Sequence, residues 1–209
     1  TAEDYVYGFK RLASPRVVSP IYELFSKHIV GMQEFAQHAQ AIHEQIPAEE
    51  WLDLRAIPLD GVQALDEQTL RFRVKGKYPQ FSYWLAMTFA APIPWEADRF
   101  YHQPQMAQHN LSLNQWPVGT GPYMLTESIT NRRHVLSRNP NFRGEPYPCE
   151  GAAGDKEAGL LEDCGQMMPF IDRIVFQLEK ESIPLLGKFL QGYYDIHQGL
   201  WHGHQGVSG

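Results

Sequence analysis

The spacing of apolar residues changes partway along the chain, and this change constrains the fold more than any other sequence feature. In the N-terminal part, apolar side chains recur every three to four positions and predict amphipathic helices at residues 2–13, 20–27 and 31–44. From residue 61 onward, apolar and polar residues alternate on both sides of a short turn at residues 66–68. This alternation predicts a β-hairpin with one solvated face. A chain of 209 residues with both periods predicts an α/β protein of one large domain or two small ones.

Helix and strand patterns alternate again in the second half of the chain. Runs of high β-propensity predict paired strands at residues 123–126 and 134–138 and a further strand at residues 173–179. Residues 182–191 have helical spacing, and the apolar segment 193–196 follows them. The order of strand, helix and apolar segment predicts a βαβ unit with parallel pairing.

A shift in composition separates these two regions. Short helices are predicted at residues 79–87 and 94–101, followed by a connection rich in Gln, Asn and His. The composition then changes at Trp116 and Pro117. We therefore predict a helical and β-hairpin subdomain over residues 1–116 and a partial α/β segment over residues 117–209.

The charge balance argues against a nucleic-acid partner. The chain has 18 Lys and Arg residues against 24 Asp and Glu residues, a formal net charge of -6, so no general basic field exists to attract a phosphate backbone. The basic residues Arg71, Arg73 and Lys75 are interpreted as the solvated face of a strand, because period two places them on one side. The longest apolar run, residues 84–93, is shorter than the ~20 residues of a membrane span, so no transmembrane helix is predicted.

The two cysteines, Cys149 and Cys164, stand in a stretch rich in Pro, Gly and Glu, residues 144–165. That stretch has no CxxC pair and no histidine to support a metal site, so a disulfide is the favoured interpretation. Closing a loop of this size contributes on the order of 3 kcal/mol in the chain-entropy model. A disulfide predicts an oxidising compartment such as the periplasm. Two unpaired loop cysteines are the alternative, since sequence alone does not establish pairing.

The sequence gives no pattern typical of a catalytic site or a cofactor. No GxSxG, HExxH, Walker loop or Rossmann glycine pattern is present, and acidic neighbours such as Glu49 and Glu50 fall on different faces. His202 and His204, with His197 upstream, form the one cluster that a metal ion would use, but the Gly-rich tail that follows His197 holds no carboxylate or thiol. We therefore predict a protein that is not an enzyme and binds no metal or cofactor.

The most unusual local sequence is WPVGTGPY at residues 116–123. Gly119 and Gly121 allow backbone conformations that are closed to other residues and leave backbone N–H and C=O groups uncovered. One interpretation is a tight crossover between domains. The other is a ligand-binding segment in which a ligand lies against the backbone between aromatic walls. The second interpretation gives the candidate ligand-binding residues: Trp116, Gly119, Thr120, Gly121 and Tyr123.

Six segments in order resemble the family 5 extracellular solute-binding proteins, the oligopeptide and dipeptide receptors of ABC importers. Residues 1–15 look like the family's "TAEDVVYSFKRLADP" helix, and residues 117–123 look like its "PVGTGPY" crossover. The further similar segments, in chain order, are residues 65–70, 136–142, 171–176 and 189–195. Phe142, where the family usually has Tyr or Trp, and the insertion around the two cysteines depart from the family pattern.

The resemblance implies a fold similar to the type II periplasmic binding proteins: an α/β fragment with a mixed sheet and peripheral helices. It also implies a periplasmic or lipid-anchored extracellular receptor that closes two lobes around a peptide and presents it to a membrane permease. In the family, the Gly-Thr-Gly-Pro-Tyr crossover runs beside the ligand cleft, which favours residues 119–123 as a ligand-binding lining. Nickel chelates, sugars and other small solutes remain open as cargo. The alternative function is a ligand-sensing or scaffolding module that partners a membrane sensor.

The resemblance further implies a partial chain. The family's strands before the first helix, and its large lobe after Asp195, have no counterpart in this sequence. A partial lobe predicts unpaired sheet edges, so we expect either association of copies through strands or a mobile tail at residues 199–209.

Overall fold

The computed structural model describes residues 1–179 and 182–196. The chain divides into two units, Thr1–Gly119 and Thr120–Gly209. This division falls between Gly119 and Thr120, a few residues beyond the change in composition at Trp116 and Pro117. In the part of the chain that the structure describes, no helix has the length and apolar character needed to cross a membrane.

The first unit contains helices and one β-hairpin. The helices are α1 (Ala2–Leu12), α2 (Tyr22–His28), α3 (Met32–His43), α4 (Phe81–Leu85), α5 (Trp95–Tyr101) and α6 (Pro104–Gln108). The hairpin strands are β1 (Val62–Ala64) and β2 (Leu70–Phe72), and single 3-10 turns occupy Leu54–Ala56 and Thr88–Ala90. The helices predicted from apolar spacing are therefore confirmed to within a few residues at each end.

The β-hairpin is closed by a local hydrogen-bonded turn. The carboxylate of Asp66 accepts hydrogen bonds from the backbone N–H groups of Gln68 and Thr69, each at 2.8 Å, so one side chain satisfies the donors of the turn. β1 and β2 pair antiparallel, with Ala64 opposite Leu70. The side chains of the three basic residues that follow period two are exposed, which confirms that they form the solvated face of the second strand and its continuation.

The core of the first unit is a set of fully buried apolar side chains from α1, α2, α3, the hairpin, the residue after α2 and the first 3-10 turn with the residue that follows it. Its largest members are Phe9, Phe25, Phe35, Ile29, Met32, Leu54, Ile57 and Val62. The hairpin approaches the segment between α2 and α3 so closely that a Cβ on Gly61 would lie 2.8 Å from the backbone nitrogen of Val30. Glycine is required there by space, because any side chain would displace the neighbouring backbone.

The second unit contains a three-stranded sheet, a small hairpin and a helix. Its elements are β3 (Tyr123–Ile129), β4 (Arg133–Arg138), β5 (Glu145–Pro146), β6 (Met167–Met168), β7 (Arg173–Gln177) and α7 (Ser182–Leu190). The sheet order is β3-β4-β7, and both neighbouring pairs are antiparallel. Asn131, with a φ of 58°, makes the tight turn between β3 and β4, and Val135 of β4 is the buried centre of the sheet.

The predicted parallel βαβ unit is wrong for the described residues. α7 forms as predicted, but β7 pairs antiparallel with β4, and residues 193–196 form no strand. The backbone N–H of Tyr193 instead donates to the carbonyl of Lys188 at 3.0 Å, across the end of α7. The hydroxyl of Tyr194 donates to the carboxylate of Glu179 at 2.6 Å. These bonds hold the segment at the helix end, where it does not extend along a strand.

The two cysteines form a disulfide at the base of the loop that follows β5. Cys149 and Cys164 are bonded, with their Cα atoms 4.6 Å apart, which confirms the pairing favoured by the sequence. The hairpin of β5 and β6, which the sequence analysis did not predict, continues toward the disulfide through backbone bonds between Tyr147 and both Gln166 and Gly165. The bond therefore closes the loop where the strand pairing ends.

Candidate ligand-binding site

The predicted ligand-binding segment links the two units. Trp116 and Gly119 belong to the first unit, whereas Thr120, Gly121 and Tyr123 belong to the second. Trp116, both glycines and Thr120 are exposed, and Tyr123 is half-buried. The five predicted residues are thus divided between the units, two in the first and three in the second.

In the second unit, the segment is fixed by Asn139, the residue that follows β4. The side-chain amide of Asn139 donates to the carbonyl of Gly121 at 2.9 Å, and its backbone N–H donates to the carbonyl of Pro122 at 2.9 Å. The hydroxyl of Tyr123 donates to the carbonyl of Ile171 at 2.9 Å. The chain from Gly121 to Tyr123 is therefore held in place by groups that are distant in sequence.

In the first unit, the backbone of Trp116 is also fixed. The hydroxyl of Tyr101 on α5 donates to the carbonyl of Trp116 at 2.8 Å, and the backbone N–H of Trp116 donates to the carbonyl of Ser112 at 2.9 Å. The Trp116 residue is nevertheless 40% exposed. Its indole is thus presented to solvent on an anchored backbone, which is what a ligand-contacting aromatic side chain requires.

The two glycines of the segment do not adopt the conformations that the sequence analysis expected. Neither Gly119 nor Gly121 has a positive φ in the left-handed region, and a Cβ at either position would meet no heavy atom within 4 Å. The carbonyl of Gly121 is taken by Asn139. In the described part of the chain, however, the backbone groups of Gly119 and Thr120 make no hydrogen bond. The predicted uncovered backbone is present at those two residues.

A half-buried carboxylate organises the polar interior of the first unit. Asp98 of α5 accepts hydrogen bonds from the Tyr7 hydroxyl at 2.7 Å, the Arg11 Nε at 2.8 Å and the Trp51 indole N–H at 3.1 Å. Burial alone raises the pKa of Asp98, but these three donors outweigh it and hold the pKa below its usual value. Burial, and then the charge of Asp98, raise the pKa of Tyr7.

The sequence analysis missed this carboxylate because its partners are far away in the chain. Tyr7 and Arg11 lie on α1, 91 and 87 positions from Asp98. The only sequence signal was a pair of polar residues four apart on the otherwise amphipathic first helix. The cluster pairs one acid with one cation and two neutral donors, an arrangement that joins α1 to α5.

Metal-ligating residues do not converge in the described part of the chain. Over residues 1–179 and 182–196, no group of three or more His, Cys, Asp or Glu side chains is placed to hold a metal ion. His197, His202 and His204, the cluster noted in the sequence, lie outside the described residues, as does the tail at residues 199–209.

The family model for bacterial extracellular solute-binding proteins, family 5, middle region, matches residues 1–204. The chain belongs to this family. The match covers both units, so the resemblance carried by the six short segments is confirmed along nearly the whole chain.

Curated family 5 relatives include peptide-binding and nickel-binding proteins. The chain is 27% identical to the periplasmic oligopeptide-binding protein OppA of Escherichia coli over 143 residues, which are 68% of this chain and 22% of OppA. It is 33% identical to the nickel-binding periplasmic protein of Escherichia coli over 112 residues, 53% of this chain and 20% of that protein. The matched region therefore spans about a fifth of the length of these relatives.

Solved structures of the same class share the fold. The pheromone receptor PrgZ, in a structure describing its mode of peptide binding, aligns with a TM-score of 0.59 and 22% identity over 93% of this chain and 31% of PrgZ. Haemophilus influenzae OppA, solved in complex with the peptide RPPGFSPFR, aligns with a TM-score of 0.58 and 18% identity over 92% of this chain and 30% of OppA. These similarities show a type II periplasmic binding-protein fold, as the sequence predicted.

The family 5 pattern identified the crossover but not the residue that anchors it. Asn139 lies inside the segment 136–142 that resembles a family motif, although nothing in that motif by itself assigns the side chain to Gly121. The Asn139 side-chain oxygen also accepts from the backbone N–H of Asn141 at 3.0 Å, an Asx turn, but this local bond does not indicate the contact with Gly121, 18 positions away.

Proposed function

We propose that the chain is part of the substrate-binding component of an ABC importer. It captures peptides or similar small solutes between two lobes and delivers them to a membrane permease, and it acts by binding without catalysing a reaction. The observation that carries this proposal is the family 5 match over residues 1–204, together with the oligopeptide-binding function named for the OppA relatives.

The geometry of the crossover supports a ligand that is recognised through its backbone. Gly119 and Thr120 offer exposed backbone N–H and C=O groups that have no partner within the described residues. Hydrogen bonds from such groups to a peptide backbone give affinity that is independent of the peptide's side chains. Trp116 and Tyr123 then supply aromatic surface on either side in sequence, and closure of the lobes completes the site.

We also propose a location outside the cytoplasm, periplasmic or lipid-anchored. The family is one of extracellular solute-binding proteins, and the OppA relatives are periplasmic. The disulfide between Cys149 and Cys164 agrees with an oxidising compartment. Cell fractionation tests the location, and thiol labelling with and without prior reduction tests the disulfide. A cytoplasmic protein with two free thiols would contradict the proposal.

The direct test of function is ligand retention. A pool of di- to pentapeptides is offered to this chain and to the full-length protein, and binding is measured by thermal shift and by mass spectrometry of retained ligand. We expect the full-length protein to retain peptides. If it retains nickel chelates or sugars instead, the peptide assignment is wrong and the importer assignment stands; if it retains none of these solutes, the importer assignment fails as well.

Substitution of the crossover glycines separates ligand contact from folding. We expect Gly119→Ala and Gly121→Ala in the full-length protein to weaken peptide binding by about tenfold, because a methyl group occupies the path of the ligand backbone. Thermal midpoints are expected to stay unchanged, since the added Cβ meets no atom within 4 Å. Gly187→Ala, also in open space, is the matched control and is expected to bind normally. Equal affinity in all three variants would contradict a role for the crossover.

The exposed sheet of the second unit supports the expectation of self-association. Val175 and Phe176 are neighbours on β7 and point to opposite faces, yet each is 50% exposed. Within the described residues, β3 and β7 each pair on one side only. We propose that copies of this chain associate through these surfaces, as exposed apolar edge strands do.

Light scattering after size exclusion tests this association. We expect a mass above the 24.0 kDa of one chain that increases with concentration. Val175→Lys is expected to return the mass toward that of a monomer, because a charge on an edge strand opposes pairing. Gln37→Lys adds the same charge at an exposed position on α3 of the first unit, outside the sheet, and is the control for added charge alone. A monomer at every concentration would contradict the proposal.

A further inference from the structure

A second candidate site lies entirely within the first unit, apart from the crossover residues. A cavity of about 200 Å³, partly open to solvent, is bordered by α1, by the segment after it, by α5 and by the chain just before Trp116. Its polar lining includes Arg11, Arg16, Asp98 and His102. The family 5 peptide assignment accounts for none of these residues.

The charges in this cavity do not cancel. One carboxylate oxygen of Asp98 forms an ion pair with Arg11, at 2.8 Å from Nε. The other carboxylate oxygen accepts hydrogen bonds from the Tyr7 hydroxyl and the Trp51 indole N–H. Arg16, in contrast, has no carboxylate partner within the described part of the chain. One uncompensated positive charge therefore lies on the cavity wall, in a half-buried position where water screens it less than at the surface.

The guanidinium of Arg16 is held in place by two backbone carbonyls and two histidine rings. Nη1 donates to the carbonyl of Glu50 at 2.5 Å, and Nη2 donates to the carbonyl of Pro47 at 3.3 Å. Nε donates to His43 Nδ1 at 3.3 Å, and Nη1 also lies 2.9 Å from His102 Nε2. These contacts use four of the five N–H groups of a guanidinium, so one Nη2 donor has no partner among the described residues.

The rest of the cavity wall is mixed. Val17, Trp51, Leu52 and Leu113 are its apolar members, and Ser14, Tyr101, Ser112 and Asn114 add polar groups without a charge. A ligand that combines one negative charge with a small hydrocarbon part fits Arg16 and these apolar side chains. A peptide of several residues exceeds the volume, and a nucleotide would place several negative charges where only one cation of the described lining lacks a carboxylate partner.

We propose that this cavity binds a small aliphatic carboxylate, with the carboxylate accepting from Nη1 and Nη2 of Arg16. A planar guanidinium with adjacent donors matches the two oxygens of a carboxylate, and the bond to a charged acceptor replaces the weaker contact with His102. The aliphatic part lies against Val17, Leu52 and Leu113. This site uses none of the five crossover residues, although Tyr101 and Ser112, which hold the backbone of Trp116, also line it.

The test uses pentanoate as the probe and this chain as the protein. We expect saturable binding by calorimetry and a rise in the thermal midpoint, since a ligand that binds only the folded state stabilises it. Pentanamide has the same shape without the charge and is expected not to bind. Inorganic phosphate is expected to bind more weakly than pentanoate, because it gains nothing from the apolar wall. Equal binding of pentanamide, or tighter binding of phosphate, would overturn the proposal.

Two variants locate the probe in the cavity. Arg16→Gln is expected to weaken pentanoate binding by about tenfold or more, whereas Arg73→Gln, an exposed arginine on the hairpin with the same change of charge, is expected to leave it unchanged. If Arg16→Gln fails to fold, Leu113→Trp fills the half-buried wall and is expected to abolish binding instead. Binding that persists in the folded variant tested would show that pentanoate lies elsewhere and overturn the assignment.

Discussion

Replacing Asp98 by alanine is expected to lower the free energy of unfolding of the first unit by about 3 kcal/mol. The change removes the acceptor of Tyr7, Arg11 and Trp51 at once. Arg11 then keeps a charge in a position where its side chain is only 20% exposed. This expected loss of about 3 kcal/mol is at the lower end of the range for breaking a buried ion pair. The reason is that the Asp98 side chain is 21% exposed, so water partly screens its charge.

Urea unfolding, followed by hydrogen exchange of α1 and α5, measures this effect. Asp98→Asn is expected to cost less than alanine, because the amide oxygen still accepts from a neutral donor. Glu96→Ala, an exposed acid on the same helix, is the control for the loss of a carboxylate and is expected to change stability by less than about 0.5 kcal/mol. Equal stability of Asp98→Ala and Glu96→Ala would show that the cluster contributes nothing.

The same cluster predicts how stability depends on pH. The pKa of Asp98 lies below its usual value in the folded state, so its contribution is present above the unfolded pKa of about 4 and is lost as the pH falls through the lower, folded pKa. The stability difference between the unmodified chain and Asp98→Asn should therefore shrink in acid. Tyr7 affects stability at alkaline pH. Because its pKa is raised in the folded state, its contribution to stability is present below the unfolded pKa of about 10 and is lost as the pH rises above that value.

Replacing Phe25 by alanine is expected to lower the free energy of unfolding by about 4 kcal/mol. Phe25 is 0% exposed. Its ring makes edge-to-face contacts with Phe9, Trp84 and Phe89, at centroid distances of 5.1, 5.8 and 5.7 Å. Truncation removes these contacts and leaves a cavity that rigid aromatic neighbours do not fill.

Phe100→Ala is the matched control for Phe25→Ala, because Phe100 is 49% exposed. Its truncation is expected to cost less than about 1 kcal/mol. Phe25→Leu, which retains part of the volume, is expected to fall between the two. Urea unfolding measures the free energy of unfolding of each variant. If Phe25→Ala loses no more of this free energy than Phe100→Ala, the packing described for α2 is contradicted.

Ligand contact at the crossover stays a prediction. Local composition selected residues 116–123, where glycine, proline and aromatic residues stand together, and the family 5 resemblance then favoured residues 119–123 as a ligand-binding lining. The sequence did not reveal that Asn139 and Tyr101 fix that segment, since each bond joins residues 15 or more positions apart. The positive wall around Arg16 was missed for the same reason, as its partners come from positions 43 to 102.

Local patterns in the sequence were sufficient to predict most of the helices and the hairpin. Helical spacing gave α1 and α3, and Asp66 closed the hairpin with its own neighbours, because these elements depend on hydrogen bonds between residues close in the chain. The tertiary structure alone decided that β7 pairs antiparallel with β4 and that Asp98 meets α1. Strand pairing and partly buried charge contacts each join segments that are distant in the chain. The free energy of such contacts depends on which surfaces pack together, and no local sequence pattern contains that information.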